Sequence, residues 1–273
     1  MLTNAAPGVL ESSPVHAALE AGIARDYEIR RYYLRLEECQ RLRLWMQRIW
    51  HPETFTWTKR GGPPKECSVT KMRRMELDSL GFGESFYQHM IHEEKEAKRE
   101  LERLAEGHPL WPHFMHVAGI GLYLCGAFVA AGGDIRQAPR VSSFWKGMGL
   151  DVLPDGTAPR RIRGRKDVDR RIPALPHVTR VGEQIRQQIV RRPGTRLNQI
   201  YQDEKETYRR RYPERPKMWA HKHGLRIAQK ILYACAWREW RLAYGLSAPD
   251  PYAFDILKHD SGRLVRFSDI YDD

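Results

Sequence analysis

The 273 residues carry 46 Lys and Arg against 34 Asp and Glu, a formal charge of +12, with 41% hydrophobic residues, eight Trp and twelve Tyr. That apolar and aromatic content is enough for a core and excludes a disordered polymer, and the length suits one large domain or two small ones. The cationic surplus favours polyanions, nucleic acid before anionic membrane, and it is gathered in one block: residues 1–135 sum to −1, residues 136–245 to +16 and residues 246–273 to −3.

A solubility device would be spread along the chain, whereas a binding face is concentrated in this way. The cysteines (Cys39, Cys67, Cys125 and Cys235) form no CxxC pair, which argues against a zinc module and a disulfide framework. The chain does not open on a basic segment followed by an apolar run. Its longest apolar stretch, residues 120–131, is short and glycine-rich, so no membrane span and a cytoplasmic location are expected.

In chain order, residues 1–24 read as a flexible N-terminus. Over residues 25–50, Ile29, Tyr32, Leu36, Cys39, Leu42, Met46 and Ile49 recur at spacings of three and four, which predicts an amphipathic helix. His51-Pro52 stops it, and residues 51–83 are irregular around Gly61-Gly62-Pro63-Pro64. A second helix is predicted over residues 84–106, with Phe86, Met90, Ala97, Leu101 and Leu104 as its apolar stripe. Residues 25–107 then form an antiparallel coiled-coil arm with an inserted loop, or else the two helices pack on the globular part.

Beyond His108-Pro109 come a short helix over 111–117, the turn Val117-Ala118-Gly119-Ile120-Gly121 and an apolar helix to Ala131. Ser142-Ser143 is positioned to cap a short helix carrying Phe144 and Trp145. Residues 151–176 are rich in Pro, Gly and Arg and read as an exposed loop. Helices over 177–192, 196–211 and 217–244 follow, and residues 246–273 make an acidic tail. Nothing alternates like a strand, so the fold class is all-α.

Four features bear on function. The turn at Gly119 and Gly121 has the h-x-G-h-G pattern of a helix-hairpin-helix, in which glycines let backbone N–H groups approach a phosphate; close helix packing is the plain alternative. The run Arg160, Arg161, Arg163, Arg165 and Lys166, continued by Arg170, Arg171 and Arg180, is almost purely cationic and suits irregular RNA or splayed strands. On the last helix Lys222, Arg226, Lys230 and Arg238 recur at four and eight along a basic face, near Trp219, Trp237 and Trp240, which either stack on bases or fill the core. His108, His113, His116, His221 and His223 lack the carboxylate or Cys that would complete a metal site, so no metal and no cofactor is expected. No motif for a nucleophile, a phosphate-cleaving metal pair or a Walker A loop is present.

The stretch His113-Phe114-Met115-His116-Val117-Ala118-Gly119-Ile120-Gly121, running on to Gly133-Asp134-Ile135, resembles the opening of the C-terminal transposase domain of bridge-RNA recombinases. Ser142-Ser143-Phe144-Trp145-Lys146-Gly147-Met148-Gly149-Leu150 and Thr179-Arg180-Val181-Gly182-Glu183-Gln184-Ile185-Arg186 resemble later segments of that domain, and residues 228–240 resemble its closing helix. The resemblance covers residues 108–245. It departs in two ways. The arm replaces the recombinases' acidic nuclease-like domain, and Leu153-Pro154-Asp155-Gly156-Thr157-Ala158-Pro159-Arg160 has no Ser-Gly nucleophile.

An arm joined to this domain without a nuclease is similar to the nuclease-free Tas proteins of TIGR-Tas systems and to the Nop proteins of box C/D ribonucleoproteins. The resemblance implies a Nop-like RNA-binding domain holding a short guide RNA, target DNA recognised through the guide, a homodimer formed partly through the arm, and no catalytic residue. Two other readings stay open. One is an unguided helix-hairpin-helix DNA-binding accessory protein of a transposon or phage. The other is a recombinase whose nucleophile is Ser142, Ser143 or Thr157.

Overall fold

The computed structural model describes residues 14–50, 75–76, 78–81, 83–151, 175–250 and 266–272, and among these every regular element is helical. The α-helices are α1 (Pro14–Trp50), α2 (Glu84–Glu106), α3 (Trp111–Phe114), α4 (Leu122–Gly132), α5 (Val141–Gly147), α6 (Pro176–Arg191), α7 (Arg196–Arg211) and α8 (Lys217–Ala243), with 3-10 turns at Ile135–Gln137 and Phe267–Ile270. The all-α class expected from the sequence is what the described residues show.

Helix α1 starts at Pro14, inside the segment expected to be flexible. Proline suits a first helical residue, because its φ is preset and its missing N–H would lack an intrahelical partner there. Leu19 and Ile23 then extend the inward face that periodicity detected only from Ile29 onward. Helices α1 and α2 run antiparallel. Arg25 donates to the Gly107 carbonyl at 2.5 Å at the root, and Arg35–Glu93 and Arg43–Glu94 pair across the two helices.

Only the distal part of this pair stands off the body. Ile23, Ile29, Tyr33 and Leu36 of α1, with Ala97, Leu101 and Ala105 of α2, belong to the same buried cluster as Phe128 of α4, Ile185 of α6 and Trp237 and Trp240 of α8. Cys39, Met46, Tyr87 and Met90 are buried outside that cluster, against each other's helices. The boundary expected at 107/108 therefore runs through one continuous core. Helix α4 sits at its centre: Leu124, Cys125, Gly126, Ala127, Phe128, Val129 and Ala130 are all buried, as befits a helix apolar on every side.

Polar groups fasten the body where the helices meet. The Arg241 guanidinium donates to the carbonyls of Ile135 (2.9 Å), Ala138 (3.2 Å) and Ser247 (2.6 Å), and Trp237 Nε1 donates to Ala138 at 2.8 Å. At the root of α1, the Leu110 N–H donates to His108 Nδ1 at 3.1 Å, which leaves Nε2 to donate to Asp26 Oδ1 at 3.1 Å. The Tyr244 hydroxyl donates to the same oxygen at 2.7 Å. Where α7 and α8 cross, a Cβ on Gly224 would lie 2.5 Å from the Tyr201 carbonyl oxygen, so glycine sets how closely they approach.

Candidate nucleic-acid interface

The glycine turn lies between α3 and α4. Gly119 has φ +92°, a conformation L side chains rarely adopt, and a Cβ there would also meet the side chain of Arg192, just after α6. Gly121 is extended, exposed and forms the N-cap of α4 without a side-chain cap. The turn is thus a tight backbone feature at a helix N-terminus, flanked by cations. One backbone donor of the turn is engaged within the molecule: the Ala118 N–H donates to Asp272 Oδ2 at 2.9 Å, while the other oxygen, Oδ1, accepts from Arg196 N–H at the start of α7 at 2.7 Å. Asp272 is held in turn by its own N–H, which donates to the His116 carbonyl at 2.7 Å. Phe267 and Tyr271, stacked around His113 and His116, dock the segment that carries it. A carboxylate from the acidic segment therefore bridges the residue before Gly119 and the N-terminus of α7.

Of the predicted arginine run, Arg160, Arg161, Arg163, Arg165, Lys166, Arg170 and Arg171 lie outside the described residues. Arg180 is described and pairs with Glu37 of α1. The basic face expected on α8 is not continuous. Lys222 is exposed. Arg226 turns inward and donates to the carbonyls of Leu150, at 2.7 Å, and Asp151. Arg238 pairs with Asp250 at 3.2 Å. Spacings of four and eight put these residues near one line, but the side chains bend to different partners.

Arg226 nevertheless belongs to a cationic cluster that spacing alone did not reveal, with Lys230 and Arg186. Burial pushes the Lys230 ammonium down to about 8, with Arg226 lowering it further and Asp151 opposing. Its Nζ lies 4.7 Å from the centre of the Trp145 ring. Burial, then the nearby Arg186, likewise lowers Arg226 from its ordinary value. A partly desolvated cluster of like charges is relieved by an anion; Glu183, paired with Arg186 at 2.9 Å, supplies part of that relief within the molecule.

Sequence reasoning also passed over Arg192 and Arg196, which flank the glycine turn. Their signal was present as arginines on either side of Pro193-Gly194, but only the fold brings them to Gly119. Trp237 and Trp240 are core residues and Trp219 is exposed. Ser142 and Ser143 are exposed within α5 and cap nothing; its N-cap is Arg140, without a side-chain cap bond. They are the second and third residues of the helix, which starts at the buried Val141.

Among the described residues no group of three or more His, Cys, Asp or Glu is placed to hold a metal ion, and no helix is long and apolar enough to cross a membrane. The histidines have other uses: His221 Nδ1 lies 2.7 Å from the Tyr201 hydroxyl, and His223 lies beside Tyr208 and Glu204. Cys39, Cys125 and Cys235 are buried thiols, and burial pushes Cys125 and Cys235 up to about 12, so they pack rather than react. Comparison with models of known protein families, with characterised proteins and with solved structures gave no match.

Proposed function

We propose that this protein binds a short structured RNA and uses it as a guide to recognise DNA, without cutting either strand. The observation that carries the nucleic-acid reading is the +16 charge of residues 136–245. Within it, exposed arginines of the α6–α7 connection and of α7, among them Arg192, Arg196, Arg209 and Arg210, add to the partly desolvated cluster of Arg186, Arg226 and Lys230. The guided part rests on the resemblance of residues 108–245 to guide-holding proteins. In such a division of labour base pairing reads sequence, and the protein reads backbone and shape.

The same reading includes a homodimer formed through α1. Tyr27, Leu34 and Trp45 are exposed, Tyr27 by 61%. At about 100° per residue they fall on one line of the helix, opposite the face that enters the core. Large apolar side chains aligned on an outward face suit a second copy of the same helix.

The test is to purify the protein, read its absorbance ratio for nucleic acid and sequence what accompanies it. One dominant short RNA, lost when Arg160, Arg161, Arg163 and Arg165 become Ala, is the expected outcome. DNA binding that persists after RNase treatment, with no such RNA, would instead favour the unguided reading, which the glycine turn supports by its geometry.

A further inference from the structure

We infer that the tip of the α7–α8 hairpin is a stacking platform for an unpaired stretch of nucleic-acid strand. This rests on the nucleic-acid reading above and gives that reading a second, chemically different contact. Residues 208–223 hold six Lys or Arg against a single Glu. Threaded among them are Tyr208, Tyr212, Trp219 and His223, none of which contributes to the buried core cluster. The Tyr208 ring lies 4.9 Å from that of Tyr212 and 4.7 Å from that of His223, centre to centre. The Arg215 guanidinium lies 4.5 Å from the centre of the Tyr212 ring and 5.5 Å from that of Trp219, and it donates to the Tyr208 hydroxyl at 2.7 Å. The rings are therefore held in place by a cation before anything binds.

Arginines in the last turn of α7 would stabilise that helix end through its dipole alone. The dipole gives no reason for Trp219 to be 45% exposed and its neighbour Met218 56% exposed beside them. An acidic peptide would be served by the charge and make little use of the rings. A duplex offers phosphates but hides the faces of its bases. An unpaired strand presents both, and base-on-aromatic stacking with arginine support is how such strands are held without sequence preference. The tip lies about 24 Å along α7 from Arg196 at the glycine turn, so the two contacts address different parts of a bound nucleic acid.

The experiment measures fluorescence anisotropy of the full chain with labelled oligouridine, labelled oligothymidine and a mixed-sequence duplex, with polyglutamate as competitor. Trp219→Ala should weaken unpaired-strand binding by about ten-fold or more. Trp219→Phe should keep most of the affinity, and the duplex should be unaffected by either change. Circular dichroism and a thermal melt confirm that the variants are folded. A preference for oligouridine assigns the platform to RNA, and equal or better binding of oligothymidine assigns it to any unpaired strand or to DNA. Unchanged strand affinity in Trp219→Ala, equal losses on strand and duplex, or displacement by polyglutamate as readily as by oligonucleotide would overturn the inference while leaving nucleic-acid binding intact. If the unmodified protein binds no nucleic acid at all, the broader reading fails as well.

Discussion

At the scale of single residues, Lys230 illustrates what spacing cannot tell. Its place on α8 was legible, but its surroundings were not, because Trp145 and Asp151 reach it from elements distant in the chain. With its pKa lowered to about 8 from the ordinary 10.5, the unfolded chain holds more protons than the folded one between those values. Stability therefore rises with pH across that window, and below it the full cost of the buried charge is present. Lys230→Met is expected to be more stable than the parent at neutral pH, with the difference shrinking as the pH approaches 10.5; urea midpoints across this range check it. Trp237 and Trp240 are a second case. The sequence left both stacking on bases and core packing open to them, and the fold buries both.

At the scale of elements, helix positions were well specified by proline and glycine breaks, and α7 occupies the predicted residues 196–211. What the sequence left open was which faces meet. Half of the expected arm is core, since Ile29 and Leu36 read alike whether they face a partner helix or a whole domain. The outward line of Tyr27, Leu34 and Trp45 is tested by Leu34→Asp with Trp45→Asp. Light scattering should report a dimer for the parent and a monomer for the doubly substituted protein. The docked Asp272 was legible only as part of an acidic tail. Its carboxylate caps α7 and the glycine turn together, so Asp272→Ala should lower stability by about 1 kcal/mol. The same change should tighten RNA binding, because Ala118 and Arg196 N–H groups become available to phosphate. Unchanged affinity would mean that the turn takes no phosphate.

At the scale of the whole molecule, charge distribution was the most legible property, because it needs no fold to be read. If six to ten phosphates are neutralised on a duplex-like partner, affinity should fall about 10³- to 10⁵-fold between about 50 and 200 mM salt. A shallow dependence, measured by titration at several salt concentrations, would assign most of the binding to stacking. The bond from Tyr244 to Asp26 has a consequence for how the chain acquires its shape. It joins residues 218 apart in sequence, and the inner face of α1 is sealed only when the end of α8 arrives. Contacts so distant impose a large loop-closure cost before they are rewarded. Refolding should therefore be slow, with α1 exposing Ile23 and Ile29 until late, and a chaperone that masks apolar helix faces would raise the yield.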